Sequence, residues 1–186
     1  MSTLKVDEIL KRTGTGTITL GQSGDTISIP SGATLNVAGS SVTAVDNTPY
    51  FFAERTGSNQ TVSATTTTTI QYNTATINEG SCYDNSTYKF TPTTAGVYFF
   101  KAKMAWNSDA DWDNSEMNLL KNSTSTKLDR YSFSNVFYNS LIVSATVSLT
   151  TSDSVYATIY QSSGGTKDIL YGGWTFFTGW KLIAWG

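Results

Sequence analysis

The sequence of 186 residues contains no histidine. That absence removes the commonest general base, the Ser-His type of triad and most zinc sites. Carboxylate-only catalysis stays open in principle. No two carboxylates form an evident acid/base pair, however, and an enzyme is not expected. Cysteine occurs once, at Cys82. No intrachain disulfide can form, and a lone thiol fits synthesis in a reducing cytosol. Charge is scarce too: Asp, Glu, Lys and Arg make up 14%, with a net charge of −2 and no Lys/Arg cluster. Nucleic-acid binding needs a concentrated cationic footprint and is set aside. There is no apolar run of about 18 residues, so no membrane insertion is expected. Residues 1–8 carry no apolar signal core, which argues against classical secretion.

What is present points to strands. Aromatics reach 13%, with five Trp, ten Tyr and nine Phe, and Thr, Ser, Asn and Gly are abundant. β-Branched and aromatic side chains suit a pleated, half-buried surface, and the chain reads as all-β.

Three regions differ in texture. Residues 1–16 carry Leu4, Val6, Ile9 and Leu10, too few to form a core. They read as an anchor that docks onto another protein, with a frayed terminus as the plain alternative. Residues 17–46 repeat polar–apolar alternations closed by Gly or Pro, with the pairs Ile18/Leu20, Ile27/Ile29 and Leu35/Val37. Two apolar side chains per repeat cannot bury themselves within one chain. Three intertwined chains would bury them, giving a short trimeric β-shaft. A flexible linker is the competing reading, though linkers rarely keep a regular apolar spacing.

Residues 47–186 are richer in aromatics and read as a head. Leu141, Val143, Ala145, Val147 and Leu149 share one face of a strand, with Ser144, Thr146 and Ser148 on the other. Tyr98, Phe100, Ala102, Met104 and Trp106 share a face opposite Lys101 and Lys103. That lysine pair reads as solvated or edge-protecting. Val155, Ala157 and Ile159 oppose Tyr156, Thr158 and Tyr160. The run from Trp174 to Trp185 is apolar on both faces. It reads as a central strand, covered on both sides by protein or by a neighbouring subunit. Many strands between Ser/Asn/Gly turns suggest an antiparallel β-sandwich or jelly roll.

Five segments, in order, carry a family resemblance. They are Tyr50-Phe51-Phe52-Ala53, then Asn78-Glu79-Gly80-Ser81-Cys82-Tyr83-Asp84, then Tyr88-Lys89-Phe90-Thr91-Pro92 leading to Gly96-Val97-Tyr98-Phe99-Phe100. Leu149-Thr150-Thr151-Ser152-Asp153-Ser154-Val155 and Phe176-Phe177-Thr178-Gly179-Trp180-Lys181-Leu182 complete the set. Together they resemble the jelly-roll head of the complement one-q and tumour-necrosis-factor superfamily, with Ser152 where that family usually has Gly. The resemblance implies a homotrimer with aromatic strand faces around a three-fold axis, ligand binding through exposed loops, and no catalysis. Physically, Gly96 suits a tight turn before a strand, and Asp153 suits a turn by capping its own backbone. Residues 1–9 and the Thr-Gly-Thr-Ile-Thr-Leu-Gly repeat look like small virion proteins of marine and cyanobacterial phages. That resemblance implies a virion location, contact with other virion structural proteins through the N-terminus, and a tail-fibre or receptor-binding role. A capsid decoration protein or head fibre is the alternative.

Candidate sites are few. Asp109, Asp111, Asp113 and Glu116 alternate in a way that can converge oxygens on calcium. Asn114 and Leu120 stand where an EF-hand needs Gly and Glu, so a solvated acidic loop is the favoured reading and no cofactor is expected. Trp112, Tyr131, Phe133, Phe137 and Tyr138 form a candidate aromatic platform for a host-surface glycan or protein, with subunit packing the stronger alternative. Cys82 reads as a buried small hydrophobe.

Overall fold

The computed structural model describes residues 31, 47–106, 114–123, 126–133 and 139–182. The chain divides into two units, Met1–Ala44 and Val45–Gly186, and all but one of the described residues belong to the second. The expected anchor residues Leu4, Val6, Ile9 and Leu10 lie outside the described residues, as does the expected shaft apart from Ser31, an exposed turn residue.

Thirteen strands are described, and no described residue is helical. The first six are β1 (Tyr50–Arg55), β2 (Gln60–Val62), β3 (Thr68–Thr69), β4 (Thr74–Glu79), β5 (Tyr83–Asp84) and β6 (Lys89–Phe90). Then come β7 (Gly96–Trp106), β8 (Ser115–Lys121), β9 (Lys127–Phe133), β10 (Asn139–Leu149), β11 (Val155–Tyr160), β12 (Lys167–Ile169) and β13 (Gly172–Lys181). A seven-stranded sheet runs β2-β12-β7-β13-β1-β4, with β10 paired along β7. A six-stranded sheet runs β5-β6-β11-β8-β9, with β3 paired to β11. All of these pairings are antiparallel. The result is an all-β jelly roll.

Alternation sets which side chains face inward. On β7, Tyr98, Phe100, Ala102, Met104 and Trp106 are buried, as the period of two requires. On β10, Leu141, Val143 and Leu149 are buried, while Ser144, Thr146 and Ser148 are exposed. Aromatic rings from both sheets interdigitate between the layers. Phe51 of β1 stacks on Tyr83 of β5 at 4.8 Å and meets Phe177 of β13 edge-on at 4.8 Å. Phe90 of β6 meets Phe100 of β7 at 5.0 Å. Each such pair contributes about 0.5–1.5 kcal/mol beyond the area it buries. The phenolic hydroxyls in this core are not orphaned. Tyr83 Oη donates to the Tyr72 carbonyl at 2.8 Å, and Tyr98 Oη to the Thr94 carbonyl at 2.6 Å.

Gly179 is required by close approach. A Cβ there would lie 2.3 Å from Phe100 Cδ1 and 3.1 Å from Phe51 Cε1, inside the ring stack. Gly96 differs from the sequence expectation. It opens β7 without a left-handed backbone, and a Cβ would meet only the flexible end of Lys181.

Two turns are locked by side chains. Asn78 accepts from the Tyr83 N–H at 2.9 Å and donates to the Tyr83 carbonyl at 2.9 Å, around Gly80 at φ +80. Asp153 accepts from the Thr150 N–H at 2.7 Å and from the Asn122 amide at 2.7 Å. It therefore caps its own turn, as expected, and also ties in the β8–β9 end. These bonds, the Thr150 N–H foremost and Asn122 next, hold its pKa below the ordinary carboxylate value. Where the sheet edges β9 and β10 meet, Asp129 accepts from the Ser144 N–H at 2.7 Å.

Candidate functional site

The acidic and aromatic candidates are only partly within the described residues. Asp109, Asp111, Asp113, Trp112, Phe137 and Tyr138 lie outside them. Phe133 ends β9, and Tyr131, also on β9, is 51% exposed. Glu116 sits on β8, and its carboxylate is taken up by Lys127 and Arg130 of β9, Arg130 Nη1 lying 3.3 Å away. Burial alone would raise its pKa. Hydrogen bonds from Lys127 and Asn118 and the charges of Lys127 and Arg130 hold it below the ordinary Glu value. Cys82 is buried and free, and burial pushes its thiol up to about 12, so it is inert as a nucleophile.

A second surface carries far more apolar area than these candidates. The outward side chains of the seven-stranded sheet fall into rows fixed by register. One row runs Glu54–Phe176–Lys103–Ile142 across β1, β13, β7 and β10. The next runs Ile77–Phe52–Thr178–Lys101–Ser144, starting on β4. The third runs Tyr50–Trp180–Phe99–Thr146. Phe52 stacks on Phe176 at 5.4 Å, and Phe99 packs on Trp180 at 4.9 Å. Trp174 is 60% exposed, Ile142 46% and Trp180 36%. Of the seven large hydrophobics that stay exposed among the described residues, five (Ile77, Val97, Ile142, Trp174 and Trp180) lie on this one face.

The sequence reading made the Trp174 run a central strand covered on both sides by protein or by a neighbouring subunit. β13 is central, between β7 and β1, but a single protomer buries only one of its faces: Thr175, Phe177 and Gly179 point inward. Lys101 and Lys103 are not edge guards either, because β7 is flanked on both sides by β13 and β10. Lys103 instead lays its ammonium 5.7 Å from the Trp174 ring centroid, a cation–π contact. The signal for this face was in the sequence. Trp174, Phe176 and Trp180 share a parity opposite to Thr175, Phe177 and Gly179, but both parities are apolar, so alternation alone did not reveal it.

Residues 50–182 match the C1q domain family, a span that takes in all thirteen described strands. The chain belongs to the C1q domain family. Solved structures with the same fold include murine APRIL at pH 8.5, with a TM-score of 0.55 and 13% identity over 72% of this chain and 98% of that one. The Eiger TNF of S. frugiperda matches with a TM-score of 0.54 and 13% identity, over 74% of this chain and 94% of that one. The globular domain of zebrafish complement 1qA matches with a TM-score of 0.50 and 20% identity, over 74% and 98%. At such identities the likeness is one of fold. No curated protein matches the sequence. The aromatic core and the central strand β13 both lie within the matched span. Residues 1–49 lie outside the match.

Proposed function

We propose that this chain is a non-catalytic, homotrimeric binding and structural protein whose C1q domain assembles through the aromatic outer face of its seven-stranded sheet. The observation that carries the reading is the clustering of Ile77, Val97, Ile142, Trp174 and Trp180 on that face. Soluble monomers rarely expose a contiguous apolar patch of more than a few hundred Å². A flat, ring-studded sheet centre suits burial against copies of itself, since closed symmetric homo-oligomers are the usual assemblies. Packing three copies at one face would cover both tryptophans and leave the six-stranded sheet in solvent.

The setting we propose is a phage virion. The head would stand on the shaft of residues 17–46, held to other virion structural proteins by residues 1–16, as a tail fibre or receptor-binding protein that contacts the host surface. Support comes from the N-terminal resemblance and the anchor–shaft–head order of the sequence. Light scattering on the full-length protein is the first test. A trimer is expected, and a monomer at micromolar concentration would remove the basis of the assembly reading. Copy number in purified particles then separates the roles. Tens of copies fit a tail appendage, hundreds fit capsid decoration, and absence from particles ends the virion reading.

A further inference from the structure

The outward rows of the seven-stranded sheet carry charges of opposite sign at opposite ends. Glu54 opens the first row on β1, and Glu79 of β4 stands beside Tyr50 at the start of the third. Lys103 and Lys101 stand on β7 in the first and second rows, next to β10. β13 lies between the two ends, so Glu54 and Lys103 are two strand spacings apart, about 9–10 Å. That is beyond ion-pairing distance. The ion pairs among the described residues join Lys121 to Asp153, and Glu116 to Lys127 and Arg130, and none involves these four charges. Lys103 leans only on the face of Trp174. Glu54, Lys101 and Lys103 are half-buried and Glu79 is exposed, so all four keep access to solvent.

The two ends differ in relief as well as in sign. At the acidic end an open, largely apolar recess of about 240 Å³ lies among Tyr50, Phe52, Ile77, Thr178 and Trp180. At the basic end β10 holds Ile142 46% exposed, beside Lys103. The charges constrain what can cover this face, because a buried charge is costly unless it is paired. A purely apolar partner would strand two lysines and two glutamates. The occupant must set cations against Glu54 and Glu79 and carboxylates against Lys101 and Lys103, within apolar surroundings. A second copy of the same face, turned so that its basic end meets the acidic end, meets each of those needs. It also brings an exposed aliphatic side chain to the end that holds the recess.

We propose that neighbouring protomers meet head to tail, with Lys101 and Lys103 of one paired across the contact with Glu54 and Glu79 of the next. The inference rests on the trimeric reading above and names its contact. Such a contact joins unlike ends, and a rotation that closes on itself turns it into a trimer. The test is light scattering of the full-length protein and its charge-reversed variants, with circular dichroism as the check on folding. Lys101→Glu with Lys103→Glu sets carboxylates face to face, and Glu54→Lys with Glu79→Lys does the same with ammonium groups. Each pair of substitutions should weaken the trimer about a hundredfold or more. The variant combining all four exchanges the two ends and should regain the wild-type trimer. An equimolar mixture of the two doubly substituted chains should assemble less well than that variant, because a closed trimer of two kinds must bring like ends together somewhere. A doubly substituted chain that folds and stays as trimeric as wild type overturns the inference, and so does a folded combined variant that remains monomeric. Both results leave the trimeric reading in place. A stable one-to-one dimer from the mixture also overturns it, since the faces then meet about a two-fold axis. A monomeric wild type removes the inference and the trimeric reading together. Should a reversed chain not fold, Lys101→Gln with Lys103→Gln and Glu54→Gln with Glu79→Gln carry the test. About tenfold weakening is expected from each, and no weakening overturns the pairing.

Discussion

The two outer faces of this sandwich use the same pleated backbone and differ almost entirely in what they leave in water. On the seven-stranded sheet the outward rows are dominated by Phe52, Phe99, Phe176, Trp174, Trp180 and Ile142, broken by Glu54, Lys101 and Lys103. On the six-stranded sheet the outward positions carry Glu116, Asn118, Thr158 and Arg130, while Tyr156 is capped by Lys89 with its ammonium 4.7 Å from the ring centroid. An apolar face gains free energy only when covered, at about 25 cal/mol per Å² removed from water. A polar face gains nothing comparable, because covering it strips water from groups that then need partners. The first is suited to a large surface of matching shape, the second to staying in water.

The shared core is where the contrast breaks down, and it gives the largest expected effect. Phe177 contacts Phe51, Tyr72, Tyr83 and Phe100 between the sheets. Phe177→Ala should cost about 3–5 kcal/mol and damage both faces together. Chemical denaturation of the variant, read alongside its oligomeric state, checks this. Gly179→Ala acts on the same ring stack by overpacking, at about 1–3 kcal/mol or more, because the new methyl meets Phe100 and has nowhere to go.

The contrast is sharpened by charging each face in turn. Trp180→Glu places a carboxylate in the middle of the aromatic rows, beside Phe99 and Tyr50. Several kcal/mol of like-charge and desolvation cost then arise at each subunit contact, and the expected product is a folded monomer by light scattering. Tyr160→Glu, on the polar face, should leave the trimer intact. If both variants remain trimeric, the aromatic face is not where the subunits meet.

How much of this was legible in sequence depended on whether the two faces of a strand differ in polarity. β10 and β7 were read correctly because Ser and Lys alternate with apolar residues there. The Asn78 segment was legible only as part of the family resemblance, and the Asp153 turn through that resemblance and the habit of Asp to cap its own backbone. The outward face of β13 was hidden because both of its parities are apolar, so tertiary placement alone decides which one is covered. The buried polar pair on the other sheet was hidden for another reason. Asn118 and Thr158 lie forty residues apart in sequence and become neighbours only through the β8–β11 register, which no local pattern specifies. Glu116 drew notice as a metal oxygen, and the fold engages it with Lys127 and Arg130 instead.

A smaller effect tests what the buried pair Asn118 and Thr158, whose Oδ1 and Oγ1 lack a protein hydrogen-bond partner, does for the fold. An unsatisfied buried polar group costs about 1–3 kcal/mol. Thr158→Val removes one such group without changing shape, so the variant should melt at the same temperature or a few degrees higher. A residue kept for stability would show the opposite sign. Calorimetry separates the two, and a clear loss of stability would mean that Thr158 is already satisfied by solvent and serves the fold.

The smallest expected effect concerns acid, and it concerns the turn where the ends of the two sheets are tied. Asp153 has a folded-state pKa below its ordinary value, chiefly because it accepts from the Thr150 N–H and the Asn122 amide, with Lys121 3.2 Å away. A carboxylate whose pKa is depressed by folding contributes stability that is fully present above the unfolded value of about 3.9. That contribution is lost progressively as pH falls towards the folded value, because the unfolded chain takes up the proton first. Asp84 has the same sign, held down to about 2 by the Ser86 hydroxyl, the Ser86 N–H and Thr87. The melting temperature should therefore be level in the contribution of these groups near neutrality and decline below about pH 4. In Asp153→Asn the Thr150 N–H keeps an oxygen acceptor but the charge is gone, so the variant should be less stable at neutral pH and its decline in acid shallower. The difference between the two curves should narrow steadily as the pH falls from about 4 towards 2. If instead the curves stay parallel down to that pH, the Asp153 charge does not hold the turn, and the acid sensitivity belongs to Asp84 and the remaining carboxylates.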